Sequence, residues 1–239
     1  MKRVGIIGMG YWGNILYSKL KNFCDIKFTC RSLDSYLDKL SDVDWVIIST
    51  PDDTHYDIVK DCLLAGKNVF CEKPLTPTYK QSKELFRLAE KKEVRLYVDD
   101  VQNYRNYDFK ILNHNLIERR KSGGGKIKDI LFLLTYHDIY ILYETIKNLK
   151  IKSIVPIDIT DTLHFEIEFD NMSMEFLYDL NCDEIIHHIN GYSLRGEDDA
   201  VLKMLSAVLN NESVDFEYNK EISLFANKII DDLHENLFN

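Results

Sequence analysis

Apolar residues fall into short continuous runs in the first part of the chain and into alternation in the second. The runs are Val4-Gly5-Ile6-Ile7, Val43-Asp44-Trp45-Val46-Ile47-Ile48-Ser49-Thr50, Asn68-Val69-Phe70-Cys71 and Val94-Arg95-Leu96-Tyr97-Val98. Strands buried on both faces of a sheet read this way. Asp25-Ile26-Lys27-Phe28-Thr29-Cys30 alternates weakly and supplies a further strand. Helical spacing recurs between the strands, over 15–20, 33–40 and 55–65, the last closed by Gly66 as a C′ glycine. Another helix runs to about residue 92, with Thr76 predicted as its cap and Pro77 at its first position. Strands alternating with helices up to residue 100 predict a doubly wound parallel sheet.

Beyond residue 100 the spacing predicts a helix over 108–121. Its basic end, Glu118-Arg119-Arg120-Lys121, reads as a solvated helix C-terminus before the breaker Gly123-Gly124-Gly125. A strand over 126–134 and a helix over 137–148 follow. Leu163-His164-Phe165-Glu166-Ile167-Glu168-Phe169, Met174-Glu175-Phe176-Leu177-Tyr178 and 185–194 then alternate, the first two separated by the polar turn Asp170-Asn171. This predicts an antiparallel sheet with one apolar face. Helices over 199–210 and 220–237 end the chain. The expected organisation is a doubly wound α/β domain over 1–100 and an α+β domain with a largely antiparallel open sheet over 101–239.

The first strand runs straight into Gly8-x-Gly10-x-x-Gly13 and a helix. In that context Gly8 allows the turn, Gly10 lets a pyrophosphate approach the backbone, and Gly13 lets the helix pack closely. The helix start, Tyr11-Trp12-Gly13, offers free N–H groups to the phosphates. This is the Rossmann pattern, and it predicts a nucleotide cofactor. About twenty residues on, where an acid would read the NAD ribose, stand Cys30-Arg31-Ser32. Arg31 there suits the 2′-phosphate of NADP, so the expectation leans to NADP over NAD, with a merely solvated Arg31 as the alternative.

Composition narrows the partners. With 239 residues and 45% hydrophobic content, the chain can bury one large or two small cores. A net charge of −9 lacks the basic excess of a nucleic-acid footprint. The five cysteines are odd in number and lack CxxC spacing, which argues against a disulfide framework or zinc site. His187 and His188 are strand neighbours pointing to opposite faces, so no metal is assigned to them. With no signal-peptide core and no membrane-length apolar stretch, a cytoplasmic protein with no membrane partner is expected.

Ser49-Thr50-Pro51, with His55 four residues on, ends one parallel strand, and Cys71-Glu72-Lys73-Pro74 ends the next. With the glycine turn, this order resembles the glucose–fructose oxidoreductase / inositol dehydrogenase / MocA (Gfo/Idh/MocA) family. Asp42-Val43-Asp44, Ala65-Gly66-Lys67-Asn68-Val69 and, more weakly, Gly125-Lys126-Ile127 extend the likeness. It is dense in the first domain and thin in the second, which is unusually short. The resemblance implies an NAD(P)-dependent oxidoreductase moving hydride to or from a hydroxyl or carbonyl carbon of a sugar, cyclitol or nucleotide sugar. It implies that Lys73 lies beside the nicotinamide and reacting carbon, with Glu72, Thr50, Pro51 and His55 lining the cofactor site.

In that family an Asp-x-x-x-His carries the second catalytic element. His137-Asp138-Ile139 resembles its His end, which makes His137 an acid–base candidate, but Leu133 stands where relatives carry the aspartate. The alternative is therefore a cofactor-binding pseudoenzyme that serves as a sensor or scaffold. Tyr104 resembles an aromatic that relatives place near substrate; Arg105 and Asp138 complete the candidate substrate set. Relatives also pair their open sheets, so a homodimer through the second domain's sheet is expected, with Phe176, Tyr178 and Tyr192 as anchors.

Overall fold

Five parallel strands, β1 (Arg3–Ile7), β2 (Asp25–Cys30), β3 (Trp45–Ile48), β4 (Asn68–Cys71) and β5 (Leu96–Val98), form one sheet in the order β2-β1-β3-β4-β5. The computed structural model describes residues 1–31, 34–123, 126–194, 199–210, 212 and 214–238. Alternation along each buried strand makes two apolar layers. Val4, Ile6, Trp45, Ile47, Phe70 and Tyr97 face α1 (Tyr11–Leu20) and α5 (Ala200–Asn210). Ile7, Val46, Ile48, Val69, Cys71 and Val98 face α2 (Asp52–Leu64) and α3 (Tyr79–Lys92). Both layers exclude water, which is why these strands are apolar throughout. The expected doubly wound sheet is present.

The helix start after β4 differs from the expected one. Thr78 is the N-cap of α3, its hydroxyl accepting from Gln81 N–H. Thr76 is instead buried, sharing a hydrogen bond with the Ser82 hydroxyl and accepting at its carbonyl from Asn227. Asn227 and Asn219 belong to α6 (Phe216–Phe238), whose buried polar stripe serves unpaired backbone. Asn219 accepts from Val98 N–H and donates to Val98 C=O, completing the edge of β5 as another strand would. Among the described residues of segment 33–40, the helical structure is the 3₁₀ turn Leu37–Asp42, which extends just beyond it.

Residues Met1–Tyr104 and Asp199–Lys228 form one compact unit; Arg105–Asp198 and Ile229–Asn239 form another. The stretch 101–239 is therefore not one block, because 199–228 returns to the first unit.

The second unit carries β6 (His114–Arg120), β7 (Ile151–Asp158), β8 (Leu163–Phe169), β9 (Ser173–Asp179), β10 (Ile186–Ile189) and β11 (Tyr192–Ser193), ordered β11-β10-β6-β9-β8-β7. Every pair is antiparallel except β6 with β9. Two sequence expectations fail here. Segment 108–121 is not a helix but contains β6, and Glu118 to Arg120 are no solvated helix end. Arg119 points inward, where a buried carboxylate meets it, so its charge disguised the strand's alternation. Segment 126–134 is a turn leading into a helical segment. Ile130, Leu131 and Leu134 are buried while Leu133 is exposed, a helical spacing that a short apolar run conceals. A π-helical turn, Leu131–Thr135, continues into α4 (Tyr136–Ile146).

Leu163, Phe165, Ile167 and Phe169 are buried as their alternation predicts, and Phe165 stacks on Phe176 at 5.0 Å. Phe176 and Tyr178 thus lie inside this unit and are not available as interface anchors. The opposite face carries Glu166 directly across from Glu175, with His164 Nε2 2.7 Å from Glu175. β7, an edge strand with Pro156 and no fully buried residue, lacks the periodic signal that would have predicted it.

Candidate functional site

In a doubly wound sheet the ligand crevice opens where strand order reverses, beyond the carboxyl ends of the two strands there. That point lies between β1 and β3. Gly8 N–H donates to Cys30 C=O at 2.8 Å, and the Ser49 hydroxyl donates to Gly8 C=O at 2.7 Å, pinning the glycine turn to the end of β3. A Cβ on Gly13 would collide with the Gly8 carbonyl, so the first turn of α1 packs against this loop only with glycine there. Gly10 is different. A Cβ there would meet no atom within 4 Å, and it would enter the approach to the α1 N-terminus. The crevice, about 360 Å³, is lined by Gly8, Met9, Gly10, Arg31, Ser49, Thr50 and Pro51. Open space over a helix N-terminus, with a cation at its rim, fits the pyrophosphate and adenosine ribose of a dinucleotide.

Five of the sequence candidates, Gly8, Gly10, Arg31, Thr50 and Pro51, meet in this crevice, and the Arg31 backbone N–H donates to Asp34. Cys30 is corrected: its side chain lies in the apolar core, and only its backbone supports the turn. Ser32 lies outside the described residues. Tyr11 is 85% exposed, and the Trp12 indole N–H donates to the Glu72 carboxylate.

His55 ties the crevice to the Glu72-Lys73-Pro74 segment. Its Nδ1 is 2.8 Å from Pro74 C=O and its Nε2 is 2.9 Å from Thr50 C=O. Burial pushes its pKa down, so the ring is neutral and donates to one carbonyl at a time. Beside it Glu72 is buried against Asp99; desolvation, then the Asp99 charge, push the Glu72 carboxyl well above the usual range, with Lys73 opposing. Asp100 is raised to about 6 by burial, although Tyr97, Asn219 and Asn103 all donate to it. The Tyr104 hydroxyl sits 3.2 Å from that of Tyr97. Lys73 is half-buried, at the end of the extension from β4.

In the second unit, half-buried His137 occupies the first turn of α4. Asp138 turns away from any substrate role: it is fully buried and accepts from Arg119 Nη2 (2.7 Å) and Nε (2.8 Å), His187 Nε2 (2.8 Å) and the Tyr178 hydroxyl (2.9 Å). Burial alone would raise its pKa, but Arg119 and His187 hold it at about 2. Sequence reasoning missed Arg119, His187 and Tyr178. Arg119 and His187 become neighbours only because β6 and β10 pair in register.

The profile described as an oxidoreductase family with an NAD-binding Rossmann fold, that of the Gfo/Idh/MocA proteins, matches residues 17–100. The match covers less than half of the chain, and over residues 17–100 the chain is similar to that family. An uncharacterized oxidoreductase of Schizosaccharomyces pombe is 52% identical over 58 residues, which cover 24% of this chain and 16% of that protein. The scyllo-inositol 2-dehydrogenase (NADP(+)) of Bacillus subtilis is 26% identical over 147 residues, covering 54% of this chain and 39% of that enzyme. The matched stretches thus span well under two thirds of these relatives. Among solved structures, UDP-N-acetylglucosamine 3-dehydrogenase from Acidithiobacillus ferrooxidans superposes with a TM-score of 0.76 at 16% identity, covering 95% of this chain and 96% of that one. At that identity the likeness establishes the fold. Among the described residues, no helix is long and apolar enough to cross a membrane.

Proposed function

We propose that this chain is an oxidoreductase of the Gfo/Idh/MocA family, that it binds NADP in the β1/β3 crevice and that it acts on a hydroxyl or carbonyl carbon of a sugar, cyclitol or nucleotide sugar. The observation that carries the reading is the open space over Gly10 at the start of α1, in the same compact unit as the family-matched residues 17–100. The nicotinamide would supply or accept the hydride. The chain's own part is to orient and to handle charge. The α1 N-terminus and glycine turn hold phosphates; Trp12 and His55 brace the Glu72-Lys73-Pro74 segment from two sides. In the first unit, an ammonium at Lys73 is the group suited to stabilise negative charge on a substrate oxygen; in the second unit, His137 is by itself the acid–base candidate.

Arg31 at the crevice rim, and the NADP(+) in the name of the similar Bacillus subtilis enzyme, favour NADP over NAD. Arg31→Ala is expected to lower the NADPH-to-NADH affinity ratio about tenfold, in keeping with one charge-assisted bond. An unchanged ratio, read by nicotinamide fluorescence titration, would remove Arg31 from cofactor choice.

One observation favours the pseudoenzyme reading. Leu133, where the resemblance implies an acid, is 52% exposed, and its side chain has no group that could exchange a proton or hydrogen-bond with a neighbouring imidazole. Turnover assays with NADPH and NADP on a panel of inositols, aldoses and nucleotide sugars decide between the two. Reduction or oxidation of any panel member above background supports the enzyme; tight cofactor binding without turnover supports the sensor or scaffold.

The outer face of the second unit's sheet, with its mixed histidine and glutamate row, is the surface we assign to homodimerisation. A dimeric mass by light scattering at micromolar concentration is expected, and a monomeric mass would reject the assignment.

A further inference from the structure

Among the described residues, Asp138 is the buried carboxylate of the second unit, and its neighbours occupy it fully. Asp138 spends both oxygens on Arg119, His187 and Tyr178. Arg105 brings a second guanidinium to the same cluster: it bonds the Tyr107 hydroxyl, and its charge, with that of Arg119, acts on both Tyr107 and His187. Arg105 Nε is buried and has no hydrogen-bond partner among the described residues. Buried charged donors are almost always paired, so an orphaned one marks a place for an absent acceptor. Asp138 is already committed, and Tyr107, whose phenol burial pushes upward, stays neutral.

The missing partner has a definite chemistry. A guanidinium edge made of Nε and one Nη matches two oxygens of a planar carboxylate with parallel bonds. We propose that the second unit docks a carboxylate on the Nε edge of Arg105, so that its ligand is a sugar acid or carboxylated polyol. Calling this ligand the substrate rests on the oxidoreductase reading above; the binding itself does not.

The test uses the full chain and three probes: D-glucuronate, D-glucose and inorganic phosphate. Binding is followed by the ¹H–¹⁵N signal of Arg105 Nε, identified by its absence in Arg105→Gln. The expected result is that glucuronate moves this signal saturably and binds at least about tenfold more tightly than glucose. Arg105→Gln loses that preference, and Arg105→Lys, which keeps charge but not the fork, recovers only part of it. An unmoved Nε signal, equal binding of glucose and glucuronate, or a response to phosphate but not to glucuronate overturns the proposal. A parallel NADPH titration separates the two readings. NADPH binding without a glucuronate response overturns the carboxylate site alone. A glucuronate response without NADPH binding supports that site and overturns the oxidoreductase reading.

Discussion

Gly10→Val is expected to fold as the wild type does and to lose nicotinamide dinucleotide binding by at least about 100-fold, near 2.8 kcal/mol. The two halves of this result have separate causes. Gly10 is the N-cap of α1 with φ −78° and ψ −161°, an extended conformation open to any residue, and a Cβ there touches nothing. A branched side chain therefore costs the fold little. The same branch stands where a pyrophosphate must approach the N–H groups of the first turn. Gly13→Ala is the contrast: its Cβ strikes the Gly8 carbonyl, so the melting temperature falls as well. Circular dichroism melts with NADPH fluorescence titrations separate the two variants. Wild-type affinity in a folded Gly10→Val protein would show that the crevice is not the phosphate site.

Asp138→Ala is expected to destabilise the second unit by about 3–5 kcal/mol, because it leaves Arg119 buried without its counter-ion. The Tyr178 hydroxyl and His187 lose the same partner. The acid limb of stability carries the matching signature. The Asp138 pKa is about 2 in the fold against 3.8 ordinarily, so folding favours the ionised form. Its stabilisation is complete above about pH 4 and is lost as pH falls towards 2. Denaturant unfolding of wild type and Asp138→Asn across this range checks the sign. The variant should start less stable and lose less on acidification. A variant as stable as the wild type at neutral pH would mean the ion pair contributes nothing.

The first unit was legible because its signals are local. Apolar runs ending in Gly8-x-Gly10-x-x-Gly13, Ser49-Thr50-Pro51 and Glu72-Lys73-Pro74 mark strand ends, and strand ends build the crevice. The second unit was less so, because its interior contains charge. Arg119 reads as a solvated cation, yet it lies on the inner face of β6, and only the pairing of β6 with β10 and the packing of α4 reveal its partners. Asp138 likewise reads as a helix-start acid or substrate ligand when it is the centre of a buried ion pair. Cys30 occupies the expected place at the end of β2, but alternation turns its thiol inward and leaves Arg31 at the crevice. The return of Asn219 and Asn227 to the first unit depends on contacts more than a hundred residues apart, which no local pattern encodes.

Occupancy of the crevice between β1 and β3 by a nicotinamide dinucleotide underlies the proposed function. Titration of the purified, folded chain with NADPH and with NADH, read by nicotinamide fluorescence and calorimetry, tests it directly. Saturable binding at one site per chain, tighter for NADPH, is the expected result. A folded wild-type chain that binds neither dinucleotide would contradict it.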